Sequence, residues 1–163
     1  MARNDSQGPV TLSVLDRLID DDPRTRAEVP LTRAESLRRL KKFVCRDLEW
    51  LLNTRHTIEP ATGPETARSV YQYGFIDVAS KSALSTQDYN ELVREMEATI
   101  AIFEPRLKRV RVRLEPGGER REKLHFFIEG VLCLEPSPEP VVFNSVLELG
   151  KREYEVRGDD GAR

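Results

Sequence analysis

Ile102-Phe103-Glu104-Pro105-Arg106-Leu107 is the stretch on which the fold turns. Ahead of it, Tyr89, Leu92, Val93, Met96, Ile100 and Phe103 recur at three- and four-residue spacing, which gives a helix one apolar face. Behind it the period drops to two. Arg109-Val110-Arg111-Val112-Arg113-Leu114 alternates strictly, arginines to one face and Val110, Val112 and Leu114 to the other, as in a half-buried strand. Pro105 separates the two periods, because its ring disfavours helical backbone at Glu104. A helical layer therefore meets a sheet at this joint, with an acid and an arginine on either side of a rigid residue.

Downstream everything reads as sheet. Pro116-Gly117-Gly118 is a hairpin connection. The run from Leu124 to Leu134 is a long strand with Leu124, Phe126, Ile128, Leu132 and Leu134 on one side. Pro136, Pro138 and Pro140 stiffen the next turn, Val141 to Leu149 forms a third strand, and Gly150-Lys151 turns into a last one from Arg152 to Val156. Upstream, the helix of the joint starts at Ser85 as N-cap, with Asp88 in its first turn.

A second long helix begins at Thr32, whose pairing with Glu35 forms a capping box, and runs to about Asn53. Leu37, Leu40, Val44, Leu48 and Leu51 make its apolar stripe, widened by Phe43, Cys45 and Leu52. Trp50, the only tryptophan, reads as an anchor at the core edge. A short helix is expected within Thr11 to Ile19, with Leu12, Leu15, Leu18 and Ile19 on one face and the aspartates and proline at 20–23 as its stop. It has too little apolar surface to stand alone, so it must dock on the domain or on a partner. Between the long helices, residues 54–84 are broken by Pro60, Gly63, Pro64 and Gly74, leave room for a helical turn near Glu65 to Val70, and carry Tyr71, Tyr73, Phe75 and Ile76 to tie the loop to the core.

The fold class is α+β, with helices packed on one face of a mostly antiparallel sheet of about four strands. One domain over 10–157 is expected between a tail at 1–9 and a tail at 158–163. Four strands in an open sheet present two edges.

The chain of 163 residues is 39% hydrophobic, enough to fold, and 33% charged, with a net charge of −2 that favours neither nucleic acid nor membrane. No apolar run approaches the roughly 20 residues of a membrane span, and the first residues lack the apolar core of a signal peptide. Cys45 and Cys133 read as reduced, core-type thiols of a cytoplasmic protein, with a disulfide left as the alternative.

Motifs for chemistry are sparse. His56 and His125 lie far apart, without ligands at metal spacing, so no metal is expected. Gly117-Gly118 joins strand to strand and is no phosphate loop, and no nucleophile motif or cofactor signature is present. A glycosidase needs two carboxyls facing across a cleft, one of them protonated. Asp47, Glu49 and Glu104 are the conceivable ones, but Asp47 and Glu49 diverge on their helix, and Arg46 and Arg106 favour charged carboxylates. No catalytic residue is expected. From Leu107 to Lys123 seven cations stand against three carboxylates. This arginine strand can be read as a solvated face that deters edge pairing, as an interface to an acidic protein surface, or as a nucleic-acid contact, although no aromatics are interleaved for base stacking.

Taken together, Arg46-Asp47-Leu48-Glu49-Trp50-Leu51-Leu52-Asn53-Thr54-Arg55 and Phe103-Glu104-Pro105-Arg106-Leu107 resemble the TssE family. This is the baseplate subunit of bacterial type VI secretion, similar to the wedge protein of contractile phage tails sometimes labelled lysozyme-related. The resemblance extends over roughly 12–157 and includes Leu15-Asp16-Arg17-Leu18 and Tyr73-Gly74-Phe75. It implies an assembly part rather than a catalyst, with no cofactor. Glu104, Pro105 and Arg106 would contact the other wedge subunits (TssF, TssG and TssK type). Arg109, Arg111, Arg113 and Arg55 are secondary interface candidates. The sheet would template sheath proteins (TssB/TssC type) by strand addition, in the cytoplasm at the inner membrane. From the residues themselves the leading reading is that Glu104 and Arg106 close the helix and pair with Arg55 or Asp47 inside the domain; the resemblance reverses this in favour of docking. On that reading Arg106→Ala leaves the fold intact and weakens assembly.

Overall fold

A computed structural model describes residues 8–19, 31–56, 62–76, 86–115 and 123–158. The expected tail before residue 8, the stop at 20–23, the Ser85 cap, the connection at 116–118 and the tail after 158 lie outside the described residues. The elements in chain order are α1 (Val14–Leu18), α2 (Arg33–Asn53), α3 (Pro64–Ala67), a 3-10 turn (Val70–Gln72), α4 (Thr86–Phe103), β1 (Leu107–Glu115), β2 (Lys123–Leu132), β3 (Glu139–Glu148) and β4 (Glu153–Gly158). The strands form one antiparallel sheet in the order β1-β2-β3-β4. The expected α+β class is what the chain adopts. It divides into two compact units, residues 1–44 and 45–163, with the boundary inside α2.

In the first unit, the Thr32 capping box forms as expected. The Glu35 amide donates to Thr32 Oγ1 at 3.2 Å and the Thr32 amide to Glu35 Oε2 at 3.0 Å. The bond from the Thr32 amide, joined by one from Thr32 Oγ1 to the same Oε2 at 2.8 Å, holds the Glu35 carboxyl below its ordinary pKa. Ser13 caps α1 by accepting from the Asp16 amide, and the Val10 amide donates to the buried Ser36 Oγ at 2.9 Å. The apolar side chains of α1, Val14, Leu15 and Leu18, are exposed, as is Ile19 at its C-cap.

In the second unit, alternation along the strands sets the core. Leu124, Phe126, Ile128 and Leu132 of β2, Val141, Phe143 and Leu147 of β3, and Tyr154 and Val156 of β4 are buried. So are Leu48, Leu51 and Leu52 of α2, Phe75, and Leu92, Met96 and Ile100 of α4. The opposite sheet face alternates to exposed or half-buried residues, so the helices cover one side only. Cys45 and Cys133 are not joined in a disulfide. The core-type expectation fails for Cys133, which lies just beyond the end of β2 and is exposed.

The alternation expected from Arg109 to Leu114 holds in burial, the arginines being exposed and Val110, Val112 and Leu114 turned inward, but a β-bulge between Lys108 and Arg111, where Arg109 takes φ 54°, shifts this run relative to Leu107. The bulge solves a phase problem. Leu107 and Val112 have opposite parity, and an uninterrupted strand would bury only one of them; the extra residue lets both reach the core. Gly130 makes room for this, since a Cβ there would stand 2.8 Å from both Cγ and Cδ1 of Leu107.

Helix side chains close part of the sheet boundary. Asn53 pairs with Tyr154 of β4 as a strand would, its Nδ2 donating to the Tyr154 carbonyl and its Oδ1 accepting from the Tyr154 amide, both at 2.8 Å. One turn back, Glu49 Oε2 accepts from the Val156 amide at 3.1 Å, and one turn further Cys45 Sγ donates to the Val156 carbonyl at 3.1 Å. The i, i+4, i+8 spacing of Cys45, Glu49 and Asn53 gives α2 a polar ridge matched to the outward backbone groups of β4. Of the two edges expected, the one along β4 is therefore occupied by the chain's own helix.

Candidate functional site

The corner is built by the way α4 ends. The Glu104 amide makes a last helical bond to Ile100 O at 2.8 Å; Pro105 has no amide to continue, and the Leu107 amide turns back to Glu104 O at 3.1 Å. That turn aims Glu104 inward, where it is 4% exposed, and leaves Pro105 on the surface. A buried carboxylate needs a cation with good geometry. Arg106 supplies it: Nε donates to Glu104 Oε1 at 2.6 Å, Nη2 to Oε2, and the Arg106 amide to Oε1 at 3.2 Å.

The same Nη2 donates to Asp47 Oδ2 on α2 at 2.5 Å. Asp47 Oδ1 in turn accepts from Nε and Nη2 of Arg46, at 3.0 and 2.7 Å. The Arg46 guanidinium lies over the Trp50 ring, 4.8 Å from its centre. A continuous chain of charge thus runs Glu104, Arg106, Asp47, Arg46 and ends on an aromatic. The hydrogen bond that Arg106 donates to Glu104, reinforced by the one to Asp47, raises the Arg106 pKa against the effect of burial.

Trp50 is 51% exposed, so the expected core-edge anchor is a surface residue instead. On a helix whose buried stripe holds Leu48, Leu51 and Leu52, position 50 points away from the core, and Arg46 one turn earlier shares its face. Tyr73 closes the other side of the corner, packed edge-on against Phe103 with ring centres 5.3 Å apart. Burial, then the charges of Asp47 and Glu104, push the Tyr73 hydroxyl above its ordinary pKa.

Tyr73 is positioned by the backbone that follows it. The Phe75 amide donates to Thr54 O at 2.7 Å and the His56 amide to Phe75 O at 3.4 Å, a parallel bridge that includes Arg55. Gly74 permits the approach: its φ is +126°, and a Cβ there would stand 2.5 Å from Thr54 O.

The candidate residues are thus distributed in three places. Glu104, Pro105 and Arg106 form the corner with Asp47. Arg55 lies exposed in the bridge to Phe75. Arg109, Arg111 and Arg113 are exposed on β1, Arg113 paired with Glu129 across the sheet and Arg111 3.7 Å from Glu97 of α4. Of the carboxyls weighed for glycoside cleavage, Asp47 and Glu104 are gripped by one guanidinium rather than set across a cleft, and Glu49 is engaged by β4. Among the described residues no group of three or more His, Cys, Asp or Glu side chains could hold a metal ion. No described helix is long and apolar enough to cross a membrane.

A family model described as baseplate wedge protein gp25 matches residues 38–137, more than half of the chain. The chain belongs to this family. The gp25 family includes TssE, so the resemblance carried by the tryptophan helix and the Glu-Pro-Arg joint is correct at family level. The matched segment contains every residue of the corner network, from Arg46 to Arg106. It is a family of structural baseplate proteins of contractile tails. No curated protein and no solved structure gives a significant match.

Sequence reasoning missed the Cys45-Glu49-Asn53 ridge and Glu97, whose Oε1 accepts from the Val112 amide of β1 at 2.9 Å. The ridge was readable as three hydrogen-bonding side chains at four-residue spacing beside an apolar stripe. Which strand it would meet was not.

Proposed function

We propose that the protein is a non-catalytic baseplate subunit of a contractile injection machine of the type VI secretion kind. It would act in the cytoplasm and assemble at the inner membrane. It binds the other wedge subunits (TssF, TssG and TssK type) through the Glu104-Pro105-Arg106 corner, and its sheet templates sheath subunits (TssB/TssC type) by strand addition. No cofactor and no nucleic acid takes part. The observation that carries this reading is the gp25 family match across the corner, α4 and the first two strands. The corner supports it physically, since a rigid proline holds a guanidinium already oriented by two carboxylates beside an exposed tryptophan.

In the geometry described, Glu104 acts on a partner through Arg106 rather than by contact. Truncating Arg106 alone would strand a buried carboxylate, so the informative variant is Glu104→Gln combined with Arg106→Met. It should fold as the wild type does and fail to co-purify with wedge subunits from cells expressing the full set. Normal co-purification by a folded double variant would remove the corner from the interface.

A further inference from the structure

Trp50 stands in the last turn of α2, where the corner network ends, and it is half exposed. What sets it apart from an ordinary surface aromatic is how it is held. The helical backbone fixes its Cα, and the Arg46 guanidinium lies over the ring. Asp47 fixes Arg46 by accepting two hydrogen bonds from it through Oδ1. Arg106 fixes Asp47 across the gap between α4 and α2, and Glu104 fixes Arg106. A large side chain ordered in this way loses little rotamer freedom on docking.

The network also specifies what the ring could meet. Two guanidiniums face two carboxylates, and all four carboxylate oxygens accept from an arginine. The four side chains sum to zero charge, so a charged partner group would compete with bonds already made. The unmet part is the indole, an apolar plate whose nitrogen can only donate. Among the described residues none accepts from Trp50 Nε1. The complementary surface is an uncharged slot of aliphatic or aromatic side chains, with a carbonyl or hydroxyl oxygen at the depth of Nε1. A lipid surface fits less well, because interfacial anchoring uses a broad apolar face beside clustered cations, whereas here one ring stands beside balanced charge.

We infer that Trp50 is the anchor by which the corner grips a wedge subunit, that it enters an uncharged apolar slot with a hydrogen-bond acceptor, and that Asp47 and Arg106 are positioning residues for it. This rests on the docking role proposed for the corner and names the group that makes the contact. Glu104 and Arg106 act through Asp47 and Arg46, and the ring carries the binding energy at the centre of the interface, as buried tryptophans commonly do.

Because Trp50 is the only tryptophan, the full chain grown with 5-fluorotryptophan gives one fluorine resonance. It is mixed with unlabelled wedge subunits (TssF, TssG and TssK type). The free chain should show the solvent isotope shift of an exposed ring between light and heavy water, and the assembled wedge should lose it. Trp50→Ala should weaken assembly by about tenfold or more and leave the urea midpoint of the isolated chain unchanged. Trp50→Phe should recover part of that loss and Trp50→Glu none. The ratio of wild-type to Trp50→Ala affinity should be the same at low and high salt, since no charge enters the slot. Asp47→Asn should move the fluorine resonance of the free chain and weaken assembly severalfold, yet add nothing once Trp50 is alanine. Assembly with the ring still open to solvent, full affinity of Trp50→Ala, or a ratio that collapses in salt would overturn the inference and leave the docking role standing. Failure of the unsubstituted chain to assemble would remove both. Insertion of the ring into vesicles of mixed neutral and anionic phospholipid by the chain alone would assign it to a lipid surface and overturn the inference equally.

Discussion

Gly74→Ala should unhook the segment that carries Tyr73 and Phe75. The added Cβ would lie 2.5 Å from the Thr54 carbonyl oxygen, 2.9 Å from its carbon and 3.0 Å from the His56 nitrogen. All three are backbone atoms, so no side chain can swing aside. A φ of +126° costs an L-residue about 1–3 kcal/mol. Relieving the clash also gives up the 2.7 Å bond from Phe75 to Thr54, worth about 1 kcal/mol. Phe75 is 1% exposed and packs edge-on against Tyr154, so any shift disturbs the core as well. A loss of about 3 kcal/mol follows, or ~6–12 °C in Tm for a chain of this size. Urea and thermal unfolding measure it, with Gly150→Ala as control because nothing lies within 4 Å of a Cβ there. The control should stay within about 0.5 kcal/mol of wild type. If Gly74→Ala costs less than about 1 kcal/mol, the bridge between the end of α2 and Phe75 does not hold the corner as described.

Three further outcomes are expected. Arg106→Ala should destabilise by about 3 kcal/mol in chemical denaturation, because it leaves the Glu104 carboxylate buried without its cation, whereas Glu104→Gln with Arg106→Met should recover most of that loss. Tyr73 should ionise above the ordinary tyrosine range in an ultraviolet titration, a high-pH component that Tyr73→Phe abolishes and Asp47→Asn lowers. A raised folded pKa means that its contribution to stability is complete below about pH 10 and is lost as pH rises through the folded value, so alkaline unfolding should be shallower in Tyr73→Phe. Ser145 is buried in β3 and its Oγ has no hydrogen-bond partner among the described residues, so Ser145→Ala should be neutral or stabilising by about 1 kcal/mol in the same denaturation assay.

Pairing inside the domain and docking on a partner need not exclude each other at the corner. Asp47 meets Arg106, as the local reading allowed, and the resulting network holds the guanidinium rather than consuming it. This changes what Arg106→Ala reports. The substitution should cost stability as well as contact, so assembly defects measured with it alone would mix two causes.

Much of the architecture was legible in the chain because it is written in local periods. The switch from a helical repeat ending at Phe103 to alternation at Arg109 placed α4, the corner and β1, and Thr32 with Glu35 marked the start of α2. Turn residues separated the four strands, and their order followed because short connections favour antiparallel neighbours. Local patterns could not decide side-chain fate where distant segments meet. Trp50 looked like a core-edge anchor by type and became a surface residue by helical phase. The bulge at Arg109 depended on the space left by Gly130, some twenty residues on. Closure of the β4 edge depended on a ridge of α2 whose partner lies about a hundred residues away. Period and turn chemistry are properties of neighbours in sequence. The pairing of Glu104, Arg106 and Asp47 and the β4 edge closed by α2 are properties of neighbours in space, and only the packed chain sets them.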